Sequence, residues 1–407
     1  MAHQLLLVSM QIREQGGADP NAIRPGGAVD GPDARGRGAA GSQPGWTEVS
    51  GVRGRSYGAH RVLEPKGALP QPAWRVDNTP VCGEDEILVD VETLNVDAAS
   101  FAQMRAEAGG DAAGVAAIVE RIVRERGKLH NPVTGSGGML IGRVAQVGEA
   151  LAKSGRGPRV GERIATLVSL SLTPLWLERV HRVDLGSGQV DVTGQAVLFE
   201  SGLYARMPED VPERVALALL DVCGAPAQTA RLVRPGDTVV VLGAGGKSGA
   251  LVLRQARLSA GSGRVIAVEP DEGACQRLRA WGWADAVLPL DARDPLVVME
   301  EVQAVLASGP LCKSAGAASG ADVVINCASV PGTELASILC AREGGTVYFF
   351  GMATSFTAAA LGAEGVGKDV RMEIGNGYCR GHAEHALHLL RETPELMVWF
   401  RDRYGGA

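Results

Sequence analysis

No CxxC pair, no apolar run of membrane-spanning length and no excess of basic charge occurs in this 407-residue chain. The seven cysteines (Cys82, Cys223, Cys275, Cys312, Cys327, Cys340 and Cys379) are scattered and odd in number. That excludes a disulfide framework and points to reduced thiols in a cytoplasmic protein, several packing as small hydrophobes. A net charge of −6 offers no basic field for nucleic acid. No stretch approaches the ~20 apolar residues of a membrane span, and residues 5–8 are too short for the apolar region of a signal peptide. No Ser-His-Asp or Cys-His order points to covalent catalysis. What remains is a chain with room for two domains and a substantial core, without a nucleic-acid or membrane partner.

Residues 235–257, PGDTVVVLGAGGKSGALVLRQAR, are the most informative. Pro235-Gly236-Asp237 forms a turn, and residues 238–242 are a β-branched apolar run suited to a strand covered on both faces. Gly243, Gly246 and Gly249 then fall at three-residue spacing. Their missing side chains let the backbone turn tightly, approach a pyrophosphate and pack the next helix on its strand. That helix opens with Lys247 and Ser248, and its free N–H groups face phosphate. Gly246-Lys247-Ser248 resembles the end of a P-loop, but Val241 occupies the place of the required first glycine. A second apolar strand over 264–268 ends at Glu269, the place of the acid that hydrogen-bonds an adenosine ribose. That acid favours NAD, with NADP possible.

From about residue 15 to residue 56 the chain is rich in Gly, Ala, Pro and Arg without periodicity, which predicts a disordered extension over 1–56. Short strands over 86–92, 139–147 and 163–168 predict a β domain, interrupted by a helix over 111–127. Asp111 caps that helix, Gly127 ends it, and Val115, Ile118, Val119, Ile122 and Val123 form its apolar stripe. From residue 211 helix and strand alternate, with further strands over 286–290, 322–327 and 346–350 and a final helix over 384–404. The pattern predicts an α/β protein with a Rossmann doubly wound parallel sheet. Cys327 and the Gly351-Met352 pair follow parallel strands and should border the cofactor, since ligands bind at the carboxyl ends of such strands.

A β domain before a Rossmann domain, with the runs GRVAQVG (142–148) and VGERI (160–164), resembles the medium-chain dehydrogenase/reductase superfamily. The resemblance implies a GroES-like β-barrel catalytic domain over 57–210, a dinucleotide-binding domain over 211–370, a segment over 371–407 returning to the catalytic domain, and a homodimer. In zinc alcohol dehydrogenases of that superfamily a His-Glu pair occupies the places of Gly138 and Met139, and Asp97 stands where the first zinc cysteine would be. A site that needs three protein ligands is not completed, so no zinc is expected.

Residues 57–71, 85–101 and 125–142 are similar to a zinc-free branch of the superfamily that acts on a diamino acid. That likeness implies NAD(P)-dependent oxidative deamination of 3,5-diaminohexanoate to 5-amino-3-oxohexanoate and ammonia, in lysine degradation. Such chemistry needs a base twice, to free the amine and to activate water, and Asp97 and His130 are the candidates. Each also reads as structure: Asp97 as a turn former, His130 as a hydrogen bonder at a helix end. Asn131, Thr134, Ser136 and Ser169 are candidate substrate contacts in polar, glycine-rich loops, where a plain turn uses the same residues. A zinc-free quinone or enone reductase and a non-catalytic dinucleotide-binding protein are the alternatives. Glu269 counts against the first, whose usual cofactor is NADPH.

Overall fold

In the computed structural model, which describes residues 55–155, 157–308, 320–375 and 377–405, the β-branched runs pair into sheets. Val62–Glu64 (β1) and Arg75–Val76 (β2) form an antiparallel ribbon. Glu86–Asn95 (β3), Met139–Val147 (β4), Arg163–Thr166 (β5), Leu175–Val183 (β6), Gln189–Phe199 (β7) and Tyr204–Arg206 (β8) follow in an antiparallel sheet ordered β6-β7-β3-β4-β5-β8. The third sheet is parallel: Val239–Leu242 (β9), Val265–Val268 (β10), Ala286–Leu288 (β11), Ala321–Asn326 (β12), Ala341–Phe349 (β13) and Arg371–Ile374 (β14), ordered β11-β10-β9-β12-β13-β14. This is the doubly wound sheet that the alternating pattern predicts, joined to a six-stranded antiparallel sheet. The extension expected over 1–56 lies, but for its last two residues, outside the described residues, as does Cys312.

Ala98–Glu107 (α1) and Ala112–Arg126 (α2) share the core of the antiparallel sheet. Helix α2 forms where its stripe predicts: Asp111 accepts the Gly114 N–H at 2.7 Å, Gly127 closes it at φ 70°, and all five stripe residues are buried. Helix α1 departs from the loop expected around Asp97. The Asp97 carboxylate caps its N-terminus, accepting the Ser100 N–H at 2.9 Å. A short helix, Glu149–Lys153 (α3), follows β4.

The remaining helices are Glu213–Leu220 (α4), Gly224–Leu232 (α5), Lys247–Ala260 (α6), Glu272–Trp281 (α7), Pro295–Ala307 (α8), Glu334–Cys340 (α9), Phe356–Val366 (α10), His382–Arg391 (α11) and Pro394–Tyr404 (α12). Because successive strand residues point to opposite faces, the inner parallel strands each feed two cores. Val239, Val241, Val265, Ala267, Val323 and Ile325 pack with α4, α5, α6, α11 and α12. Val240, Leu242, Ile266, Val268, Val324 and Val347 pack with α8, α9 and α10. Burial on both sides explains the unbroken apolar runs of these strands. Met139, Ile141 and Ala165 of the antiparallel sheet enter the first core, which fixes the two sheets against each other. The single terminal helix expected over 384–404 is two helices. Pro394 has no N–H for the ladder and holds Thr393 at φ −131°, ψ 89°, outside helical space.

A buried ion pair ties the start of β3 to the preceding segment. Arg61 donates from Nη2 and Nε to the Glu86 carboxylate at 2.6 and 2.7 Å, and the Gly83 N–H adds a bond at 2.7 Å. Burial alone would raise the Glu86 pKa, but the hydrogen bonds from Arg61 and His60 outweigh it and bring it down to about 2. A depressed carboxylate contributes stability above its ordinary pKa and loses it as pH falls through the folded value. We therefore expect urea stability to fall progressively from about pH 4.5 towards pH 2. Glu86→Gln, which leaves Arg61 buried and unpaired, should cost about 3 kcal/mol at pH 7 and flatten that acid dependence. Urea titrations of both proteins across this range check it; an unchanged acid slope in the variant would contradict the assignment.

Candidate active site

Strands β9 and β12 are hydrogen-bonded neighbours, yet the chain reaches β12 only after adding β10 and β11 on the other side of β9. At such a reversal the connections leave in opposite directions, and a crevice opens beyond the strand ends. A cavity of about 1040 Å³ lies there. It is lined by the loops after β9, β12 and β13 and by the segments around Asp97, Ser136 and Ser169.

Backbone crowding at the strand ends accounts for the glycines. Gly243 turns at φ 70°, and a Cβ there would stand 2.7 Å from the Ala328 nitrogen. A Cβ at Gly249 would run into the Gly243 carbonyl, so helix α6 packs on its turn only without one. Gly246 caps α6, and Gly246, Lys247 and Ser248 line the cavity. Glu269, buried at the end of β10, accepts the Gly245 N–H on Oε2 at 2.8 Å and the Asp271 N–H on Oε1 at 3.2 Å. Gly245 is a residue that the three-residue spacing passes over. Its signal was the doubled glycine, since a Cβ there would stand 2.8 Å from the Glu269 Cδ. Cys327, Gly351 and Met352 also line the cavity. Burial pushes the Cys327 thiol up to about 12, which keeps it protonated. A turn stripped of Cβ atoms, an open helix start and a carboxylate at the next strand end together fit a nicotinamide dinucleotide.

Elsewhere in the lining, Asp97 Oδ2 accepts the Ser136 Oγ–H at 2.5 Å while Oδ1 caps α1. Ser169 accepts from the Ser171 N–H and Oγ–H at 3.1 and 2.8 Å. Asp97, Ser136 and Ser169 thus meet at the cavity. Asn131, Thr134 and His130 are not among the residues that line it. Asn131 is fully buried, its Oδ1 accepting from Val133 N–H and its Nδ2 donating to the Gln103 Oε1 at 2.8 and 2.9 Å, and Thr134 shares a 2.6 Å hydroxyl bond with Ser100. Burial, reinforced by Lys128 and Arg126, lowers the His130 pKa to about 4, so the ring is neutral near pH 7. Its Nδ1 is buried with no hydrogen-bond partner among the described residues.

Sequence reading missed the strongest charge pair in the cavity. The Lys247 side chain turns to Asp221, the C-terminal cap of α4, with Nζ 2.6 Å from Oδ2. Both residues line the cavity and both are largely buried. Burial raises the Asp221 pKa above the ordinary carboxylate range. Lys247 is raised as well: burial opposes its charge, but Asp221 and the Tyr404 side chain outweigh that. Asp221 lies 26 residues from Lys247, in an otherwise apolar run with no motif to mark it.

The place of the zinc-ligand histidine in the superfamily cannot carry a side chain here. Gly138 adopts φ 101°, and a Cβ would collide with the Asn95 carbonyl and stand 2.8 Å from the Asp97 nitrogen. Among the described residues no group of three His, Cys, Asp or Glu side chains is placed to hold a metal ion.

Residues 60–208 match the family described as the L-erythro-3,5-diaminohexanoate dehydrogenase N-terminal domain. The chain is 50% identical over 354 residues to the L-erythro-3,5-diaminohexanoate dehydrogenase of Acetoanaerobium sticklandii, covering 87% of this chain and 100% of that protein. It is 47% identical over 353 residues to the enzyme of the same name from Fusobacterium nucleatum subsp. nucleatum, covering 86% and 99%. Solved structures it is similar to include AibC (19% identical, TM-score 0.47, 77% of this chain and 83% of that one). A quinone oxidoreductase from Coxiella burnetii is another (15% identical, TM-score 0.49, 77% and 81%).

The close packing at Gly249 supplies a direct test. Gly249→Ala should displace α6 from its turn and weaken NAD+ binding at least ~10-fold, a loss of about 1.4 kcal/mol. Titration calorimetry with NAD+ measures this, and an unchanged affinity would show that the turn does not hold the dinucleotide.

Proposed function

The chain belongs to the L-erythro-3,5-diaminohexanoate dehydrogenase family, and we propose that it catalyses the oxidative deamination of L-erythro-3,5-diaminohexanoate to 5-amino-3-oxohexanoate and ammonia, a step of lysine degradation. The observation that carries this reading is a single cavity lined both by the carboxylate of Asp97 and by a dinucleotide-binding turn. A diamino acid brings two ammonium groups and a carboxylate, whose desolvation an apolar slot could not offset. A nicotinamide dinucleotide is the cofactor; when bound, its ring takes up a hydride from the carbon that bears the amine.

The turn at Gly243, Gly246 and Gly249 holds the dinucleotide, with Lys247 and Ser248 at the helix start and Cys327, Gly351 and Met352 bordering it. Glu269 selects NAD, because its carboxylate accepts from a ribose hydroxyl and repels a 2′-phosphate. Asp97 receives a substrate ammonium as a fixed anion, and the Ser136 and Ser169 hydroxyls complete that part of the lining. His130, Asn131 and Thr134 stand behind it and shape the loop that carries Ser136. No zinc takes part: Gly138 has no room for a ligand side chain, and both Asp97 oxygens already accept hydrogen bonds. We keep the division into catalytic (57–210), dinucleotide-binding (211–370) and returning (371–407) parts. It is supported by the Arg391–Asp210 ion pair at 2.6 Å, which ties the last part back to the end of the first. Free cysteines at six described positions support a reducing, cytoplasmic setting.

Incubation with 3,5-diaminohexanoate and NAD+ should release one ammonia per NADH formed, undiminished by a chelator, with little turnover of simple quinones or alcohols. Quinone reduction without ammonia release would refute the reading. NAD+ should bind more tightly than NADP+, and Glu269→Ser should narrow the difference; equal calorimetric affinities in the parent protein would remove Glu269 from its role. Asp97→Ala should lower deamination at least ~100-fold while NAD+ still binds.

A further inference from the structure

Before the amine carbon can give up hydride, its ammonium must lose a proton, and the acceptor must stand in the cavity with an oxygen to spare. Asp97 is poorly suited to that part of the work, since Oδ1 accepts the Ser100 N–H and Oδ2 the Ser136 hydroxyl. Asp221 is differently placed. Lys247 Nζ bonds its Oδ2 at 2.6 Å, the buried Asn95 amide is its other polar neighbour, and the residue lines the cavity.

Each member of the pair sits at the helix end that repels its charge. Asp221 caps the C-terminus of α4, where backbone carbonyls accumulate negative potential, and Lys247 is the first residue of α6, where the potential is positive. A pair kept only for stability gains nothing from that placement, whereas a carboxylate that must accept a proton does. Burial adds to the effect on Asp221. Beside it lies Asn95, 1% exposed, whose side-chain amide acts on the carboxylate as a hydrogen-bond donor and partly offsets burial. The other ionisable groups that act on the pair are Asp97, Tyr404 and Cys223.

Resting on the amine-dehydrogenase reading above, we infer that Asp221 accepts the proton of the reacting ammonium, with Lys247 as its positioning partner. The N–H bond of the substrate breaks, the proton moves to the carboxylate, and the electron pair stays on nitrogen. Lys247 remains bonded to Oδ2 and so presents Oδ1 to the substrate. Asp97 and Asp221 bring two carboxylates for the two substrate ammonium groups, and Lys247, Arg105 and Arg403 line the same cavity and can meet its carboxylate. After turnover Asp221 passes the proton to solvent. This is the one proton released when the substrate's reacting ammonium group, NAD+ and water become ketone, free ammonium ion and NADH.

The test uses the full-length enzyme with NAD+ and 3,5-diaminohexanoate. Asp221→Asn should lower kcat at least ~100-fold while the calorimetric Kd for NAD+ stays within ~3-fold. Lys247→Met should lower kcat with little change in KM, and Lys247→Arg, which keeps the cation, should recover most of it. Asp221→Asn leaves a buried lysine unpaired, so the double variant Asp221→Asn with Lys247→Met provides a neutral pair that folds without that penalty. It should be as slow as Asp221→Asn. If the parent enzyme deaminates and the double variant keeps kcat within ~3-fold, the role of Asp221 is wrong although the function stands. Equal kcat in the Met and Arg variants of Lys247 would remove its positioning role. If the parent enzyme releases no ammonia, the functional reading fails and this inference with it.

Discussion

The chain returns from β11 to pair β12 with the free side of β9, and the cleft depends on that reversal. The strand ends crowd one another while the connections diverge, so backbone packs against backbone on the floor and a cavity opens above it. Side chains have no room at the crowded points. Gly243 lies against Ala328, Gly249 against the Gly243 carbonyl, and Gly351 against the Ala328 carbonyl, each contact closed to a Cβ. The same lack of side chains lets three loops converge, and the α6 start, which no side chain caps, is left open towards a dinucleotide.

Charge is buried in this protein in two ways, with different consequences. Arg61 and Glu86 satisfy each other with a fork of parallel bonds, further supported by backbone groups, and the carboxylate is stabilised in its ionised form. That arrangement is structural: it joins two segments and leaves the acid nothing to exchange. Asp221 and Lys247 make a single contact, at helix ends that oppose their charges, on the wall of a cavity. A carboxylate held in that way is poised to accept a proton instead of being locked as an anion. Both are buried acid–base pairs, and only their surroundings separate the two roles.

Much of the framework was legible because local rules and global packing agree. In helix α2 the Asp111 cap, the apolar stripe and the Gly127 terminator all mark the same boundaries, and the structure keeps them. The parallel strands were legible as unbroken β-branched runs because both their faces are covered. Legibility failed where a residue serves two purposes. Asp97 reads as a loop acid, yet it caps α1 and faces the cavity at once. Pro394 divides what its apolar periodicity presents as one terminal helix.

By itself the sequence determined the strand–turn–helix unit from residue 239 to 260, the acid at Glu269 and the fold class, since all three rest on spacing along the chain. Tertiary structure alone decided which polar groups share the cleft. It set His130 and Asn131 behind the wall and brought Asp97, Asp221 and Lys247, each from a different element, to one cavity. The reason is physical: turn glycines and helix caps act over a few residues, whereas a buried charge is governed by whatever neighbours the fold delivers through space.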